Sequence, residues 1–181
     1  LDALVGYALF RLNALGDADN TVVGDLLSEL QRLDERIAQY DAHVQAIARE
    51  DERAKQLMRL SGVGPTTATA IVAMIGNGHE FRCGRQFAAW LGLTPGQYSS
   101  GGKTRLGRIT KAGDAYLRTL LILGARAVLA AAKNKADGLS RWATALEQRR
   151  GYWKAVVAIA AKNARMCWAM LAKAEQFKLP A

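Results

Sequence analysis

The sequence has 181 residues, 50% of them hydrophobic, which is enough for one well-buried domain plus an extension. Its formal charge of +9 and pI of about 9.9 speak of acidic partners rather than of a fold. No uninterrupted apolar run approaches the roughly 18 residues of a membrane span, no signal-peptide architecture opens the chain, and His43 and His79 alone leave little material for a His-based zinc site or a Ser-His-Asp triad.

In chain order, Leu1 to Leu15 is apolar and reads as a helix ending near Gly16-Asp17. From Val23 the apolar residues Leu26, Leu30, Leu33, Ile37, Tyr40, Val44 and Ile47 follow in alternating steps of three and four, the seam of a coiled coil. Thr21 or Asp25 could cap this helix, and Glu29, Arg32, Glu35, Arg36 and Asp41 form its solvated face. Such a seam predicts a partner helix, either from a second copy or from an intramolecular hairpin. Leu60-Ser61-Gly62-Val63-Gly64-Pro65 then predicts a turn between two helices, with proline at the first helical turn. Apolar-Gly-apolar-Gly followed by small residues has the form of a helix-hairpin-helix. There Gly62 and Gly64 would let the backbone approach a phosphate, and free amides would bind the anion.

A short buried helix is expected within Phe81 to Leu93, from Phe87, Ala88, Trp90 and Leu91. The polar stretch Thr94 to Lys103 predicts a flexible loop. Helical spacing resumes at Asp114 and runs to about Ala132, and two more helices follow, roughly Leu139 to Arg149 and Tyr152 to Phe177. Trp142, Trp153 and Trp168 fall on these last helices and read as core. No strand alternation and no internal repeat stand out. Cys83 and Cys167 lack metal-ligand spacing and read as reduced thiols.

Charge is concentrated in the middle of the chain. From Arg82 to Arg126 the basic residues include Arg85, Lys103, Arg105, Arg108, Lys111 and Arg118, against Asp114 alone. A field of this kind suits a phosphate backbone. Gly101-Gly102-Lys103-Thr104 does not make a nucleotide-binding P-loop, because Gln97 stands where the first glycine is needed and no buried strand leads in. Ser99 and Ser100, glycine-flanked and surrounded by cations, could instead supply a nucleophile to a phosphate. On chemistry alone, a basic loop that merely grips DNA is the preferred reading.

Three blocks shift that preference: Phe87-Ala88-Ala89-Trp90-Leu91-Gly92-Leu93-Thr94-Pro95, Ser99-Ser100-Gly101-Gly102-Lys103, and Arg105-Leu106-Gly107-Arg108-Ile109-Thr110-Lys111 with Gly113 and Tyr116-Leu117-Arg118. Together with the Gly-Val-Gly-Pro turn and the seam, they resemble the C-terminal transposase domain of bridge-RNA-guided insertion-sequence transposases, relatives of the pilin-gene inverting recombinases. Gly96 departs from the arginine that often follows this proline. The resemblance implies Ser100 as nucleophile, with Ser99 as second choice. It also implies phosphate binding by Gly101, Gly102, Lys103, Arg105, Arg108 and Lys111. Magnesium would be held by a separate RuvC-like acidic domain preceding Leu1, with no cofactor and no metal ligand in this chain. A structured guide RNA would read the DNA by pairing.

The resulting expectation is an all-α protein. Residues 1–56 form a helical segment and coiled-coil arm for homo-oligomerisation, and residues 57–181 form a compact helical domain carrying the helix-hairpin-helix and the Gly/Ser-rich catalytic loop. The expected partners are DNA and guide RNA in the bacterial cytoplasm, associated with the nucleoid, with no membrane. The alternative is a non-catalytic DNA-binding and dimerisation module.

Overall fold

Carboxylates at the helix starts and glycines at the turns punctuate this chain, whose computed structural model describes residues 17–173. The expected helix over Leu1 to Leu15 lies outside them. Helix α1 covers Asp17–Glu50, so Thr21 and Asp25 lie inside it and neither is its cap. Asp51 then starts α2 (Glu52–Leu57), its carboxylate accepting from the backbone N–H groups of Arg53 and Ala54. The Arg53 guanidinium beside it holds the Asp51 carboxyl below the usual carboxylate range. Gly64 and Pro65 open α3 (Pro65–Ile75), and α4 spans Gly84–Trp90. Asp114 caps α5 (Ala115–Ala132) through the Leu117 N–H, and Asp137 caps α6 (Gly138–Arg150) through the N–H and hydroxyl of Ser140. Gly151, at φ 84°, ends α6 before α7 (Tyr152–Lys173).

The chain divides into two compact units, up to His43 and from Val44 onward. In the first, the described residues are the greater part of α1. The seam residues Leu26, Leu30, Leu33, Ile37 and Tyr40 lie on the predicted helix and are exposed, Leu26 by 61% and Tyr40 by 62%. In the second unit α7 is the central element, packed by α4, α5 and α6, while α3 packs on α2 and α5. Leu57, Leu60, Ile71, Phe87, Leu91, Leu93, Leu117, Leu121, Val156 and Ile159 fill the core. Trp168 is buried as expected, and its indole N–H donates to the Gly78 carbonyl at 2.9 Å. Trp153 departs from the expectation, with 64% of its surface exposed, and Trp142 is only partly covered. Helices α5 and α7 are long and apolar enough to cross a membrane by composition, although Arg118, Arg126, Lys154 and Lys162 interrupt any continuous run. Their apolar faces close on one another in this core.

The α class holds, with one addition. The stretch Thr94 to Lys103, read as a flexible loop, is the first strand and turn of an antiparallel β-hairpin that pairs β1 (Pro95–Gln97) with β2 (Leu106–Ile109). Pro95 pairs with Ile109 and Gln97 with Leu106, so the register slips by a residue across the pair, the mark of a bulge.

Candidate functional site

Ser100-Gly101-Gly102-Lys103 is the tip of the hairpin. The Lys103 N–H donates to the Ser100 carbonyl at 3.1 Å, and Gly101 and Gly102 stand at φ 56° and 75°. Two successive positive φ values are what a two-residue hairpin turn needs to match the twist of its strands, and only glycine takes them freely. A side chain added at either glycine would meet nothing within 4 Å. The tip is thus open to an incoming group, and the Gly-Gly pair belongs to a strand-turn-strand rather than to a phosphate loop that opens a helix.

The two serines differ. The Ser99 hydroxyl accepts from the Gln97 side-chain amide at 2.8 Å and from the Arg105 backbone N–H at 3.3 Å. Its lone pairs are occupied in closing the hairpin. The Ser100 side chain is exposed, and among the described residues no hydrogen bond engages its hydroxyl. Below the tip, the Tyr98 ring lies over Gly96 and Gly107, where a β-carbon on Gly107 would come within 2.9 Å of it. Gly96 therefore sits beneath an aromatic ring.

The hairpin's root is fastened to the core. The backbone N–H groups of Thr110 and Lys111 donate to the carbonyls of Thr94 and Gly92. The Arg118 guanidinium, on α5, donates to the Leu91 and Ala112 carbonyls, each at 3.1 Å. Arg118 was counted toward the positive field, and the structure uses it to tie two backbone segments together. Lys103, Arg105, Arg108 and Lys111 are all exposed on or beside the hairpin.

Gly62 and Gly64 are less alike than their spacing suggests. Gly62, at φ 84°, faces Gly124 of α5: a β-carbon there would lie 2.7 Å from the Gly124 carbonyl oxygen and 2.7 Å from a Val128 methyl. Next to it the Ser61 carbonyl accepts from the side-chain amide of Asn163, which is fully buried on α7. Gly64 is exposed, has ordinary backbone angles, and precedes the open N-terminus of α3.

Between the hairpin root, α4 and α7 runs a cleft of about 1000 Å³. Leu93, Pro95, Ile109, Val157 and Ala161 give it apolar walls. Its charged lining is wholly basic: Arg85, Arg108, Arg150, Lys154 and Arg165. Between Arg82 and Lys173 the carboxylates are Asp114, Asp137 and Glu147, and none of them lines it. Of the five cations, sequence reasoning singled out only Arg108 as a site residue. The others come from α4, α6 and α7; only Arg150 and Lys154 are near in the chain, and Arg85 and Arg165 reach them through the fold alone. Among the described residues, no three His, Cys, Asp or Glu side chains are grouped to hold a metal ion.

Against known proteins, residues 54–140 match the family described as "Transposase IS116/IS110/IS902 family". That stretch runs from α2 to the start of α6 and contains the whole hairpin. A protein of Pseudomonas aeruginosa named "Probable family 20 transposase" is 52% identical over 149 residues, covering 82% of this chain and 44% of that protein. The "Transposase for insertion sequence element IS1111A" of Coxiella burnetii is 43% identical, covering 87% of this chain and 43% of its own length. The "Transposase for insertion sequence element IS1328" of Yersinia enterocolitica is 32% identical, covering 95% of this chain and 54% of its own. The chain thus spans about half the length of the relatives it matches.

Proposed function

We propose, from the match of residues 54–140 to the IS116/IS110/IS902 transposase family, that this chain handles DNA in an insertion-sequence transposase, with Ser100 as the nucleophile for strand cleavage and rejoining. The observation that carries the reading is the asymmetry between adjacent serines. Ser99 is engaged by Gln97 and Arg105, while Ser100 stands unengaged beside the glycine turn. The Ser100 oxygen gives up its proton and forms a phosphodiester with a backbone phosphorus as the bond to the deoxyribose oxygen breaks, and that departing oxygen takes up a proton and leaves as a hydroxyl. Lys103, Arg105, Arg108 and Lys111 offset the charge that builds on the phosphate in the transition state. The bare turn lets the duplex backbone come close.

The proposal includes a guide RNA that reads DNA by base pairing, and self-association through the exposed seam of α1. The family resemblance implies magnesium as well. The described residues offer no carboxylate cluster for the ion.

The test uses the full-length transposase that contains this chain. Ser100→Ala should cut the yield of covalent protein–DNA adduct on a denaturing gel by about a thousandfold or more. DNA affinity should stay nearly unchanged, because grip comes from cations and amides rather than from the hydroxyl. Ser99→Ala should be milder. Undiminished cleavage by the Ser100→Ala enzyme, or an adduct mapped to Ser99, overturns the assignment.

A further inference from the structure

We propose that the basic cleft between the hairpin root and α7 binds an unpaired stretch of nucleic acid, with a base stacked on Trp153 and phosphates on the cations around it. The proposal rests on the nucleic-acid reading above but not on serine chemistry. Trp153 is the unexpected element. It lies in the first turn of α7, where sequence spacing puts it in the core, yet 64% of its surface is exposed at the cleft. Its setting is ordered: the Tyr152 ring meets it edge-on with centroids 5.1 Å apart, and the Arg126 guanidinium lies 6.0 Å from its ring centre. Arg126 in turn donates to the Tyr152 hydroxyl at 3.4 Å. Two side chains from two helices, Tyr152 and Arg126, thus hold one indole in place at the surface.

Charge selects the occupant. Arg85, Arg108, Arg150, Lys154 and Arg165 line the cleft, no carboxylate joins them, and among the described residues none of the five is in an ion pair. An apolar peptide would leave these cations without counterions, and an acidic peptide would leave the exposed indole without a planar partner. A polynucleotide with its bases unpaired supplies both needs, an anion at each step and a flat face between them. A duplex keeps its base faces stacked inside, so the indole discriminates single strands from double strands. The cleft's volume of about 1000 Å³ is at the upper end of small-ligand sites, so it suits a short segment rather than a single small molecule.

The test measures binding of the full chain to a short fluorescein-labelled oligothymidylate, a matching oligouridylate, and a blunt DNA duplex of the same length. Trp153→Ala should weaken binding to the unpaired oligomers by about tenfold or more. Duplex binding should change far less, and Trp153→Phe should restore most of the loss. Converting Arg150 and Lys154 to Gln should flatten the salt dependence for the same oligomers. A preference for the deoxy or the ribo oligomer, lost in Trp153→Ala, supports the proposal and identifies the strand. Equal losses on single and double strands, or no loss, overturn it. So does a changed sedimentation coefficient with unaltered nucleic-acid affinity, which would make Trp153 a protein contact. The readout for this proposal is binding and the readout for the nucleophile is a covalent adduct, so failure of this proposal and failure of the nucleophile assignment are separate results.

Discussion

Two of the turns built on paired glycines use glycine for opposite reasons. At residues 62–64 the missing side chain is needed inside the protein. Gly62 and Gly124 meet backbone to backbone, and a β-carbon on either would overlap the other's carbonyl. At residues 101–102 the space around the backbone is empty, and the need is conformational, for two positive φ values in a row. From sequence both turns look like places where a phosphate could come close. The geometry gives the first at least one duty that involves no ligand, while the second has nothing packed on it. Glycine spacing reports a constraint, and only the surroundings say whether a helix, a twist or a substrate imposes it.

The sharpest way to break this contrast is to add one methyl group at each turn. Gly62→Ala combines a left-handed backbone with overlap on α5 and should cost about 3 kcal/mol or more. At this chain length that lowers the thermal midpoint by roughly 6 to 12 °C, and an unchanged melt would disprove the packing role. Gly102→Ala strains the backbone alone, for about 1–2 kcal/mol. Its effect should stay in the hairpin, as faster amide exchange at Tyr98 and Lys103, whose N–H groups close the ladder toward the tip. Equal loss of protection in α5 and α7 would show that the tip and core melt together. The smallest effect belongs to Gly64→Ala. The residue has φ −91° and open surroundings, so stability should fall by about 1 kcal/mol or less, the cost of a poorer helix cap. A clear loss of duplex affinity in that variant would put the start of α3 at the nucleic acid; unaltered affinity would remove this turn from the interface.

Helices were legible because their spacing is a property of single residues in series. The seam of α1, the apolar face of α5 and the Gly64-Pro65 start can each be read from neighbours in the chain. The hairpin was missed because β1 is three residues long and contains Pro95 and Gly96, which mask any alternation. The usable signal was Gly101-Gly102 itself, a two-residue connection that strands tolerate well. Trp153 was misread because helical spacing assigns a residue to a face without saying whether another element covers that face. The anchoring by Arg118 was hidden for a related reason: its charge was visible, but the two carbonyls it binds come from segments that converge only after folding. The cleft was beyond sequence reasoning altogether, since Arg85, Arg108 and Arg165 meet only once α4 and the hairpin dock beside α7.

Arg118 has one more consequence, for how such a chain can change over generations. It anchors the hairpin by backbone carbonyls, atoms that every residue possesses, and so it places no demand on side-chain identity at Leu91 or Ala112. Residues nearer the tip can then be exchanged, lengthened or recharged without loosening the mount beneath them. The arrangement resembles a tool holder with interchangeable bits: new bits can be tried one at a time while the handle keeps its grip.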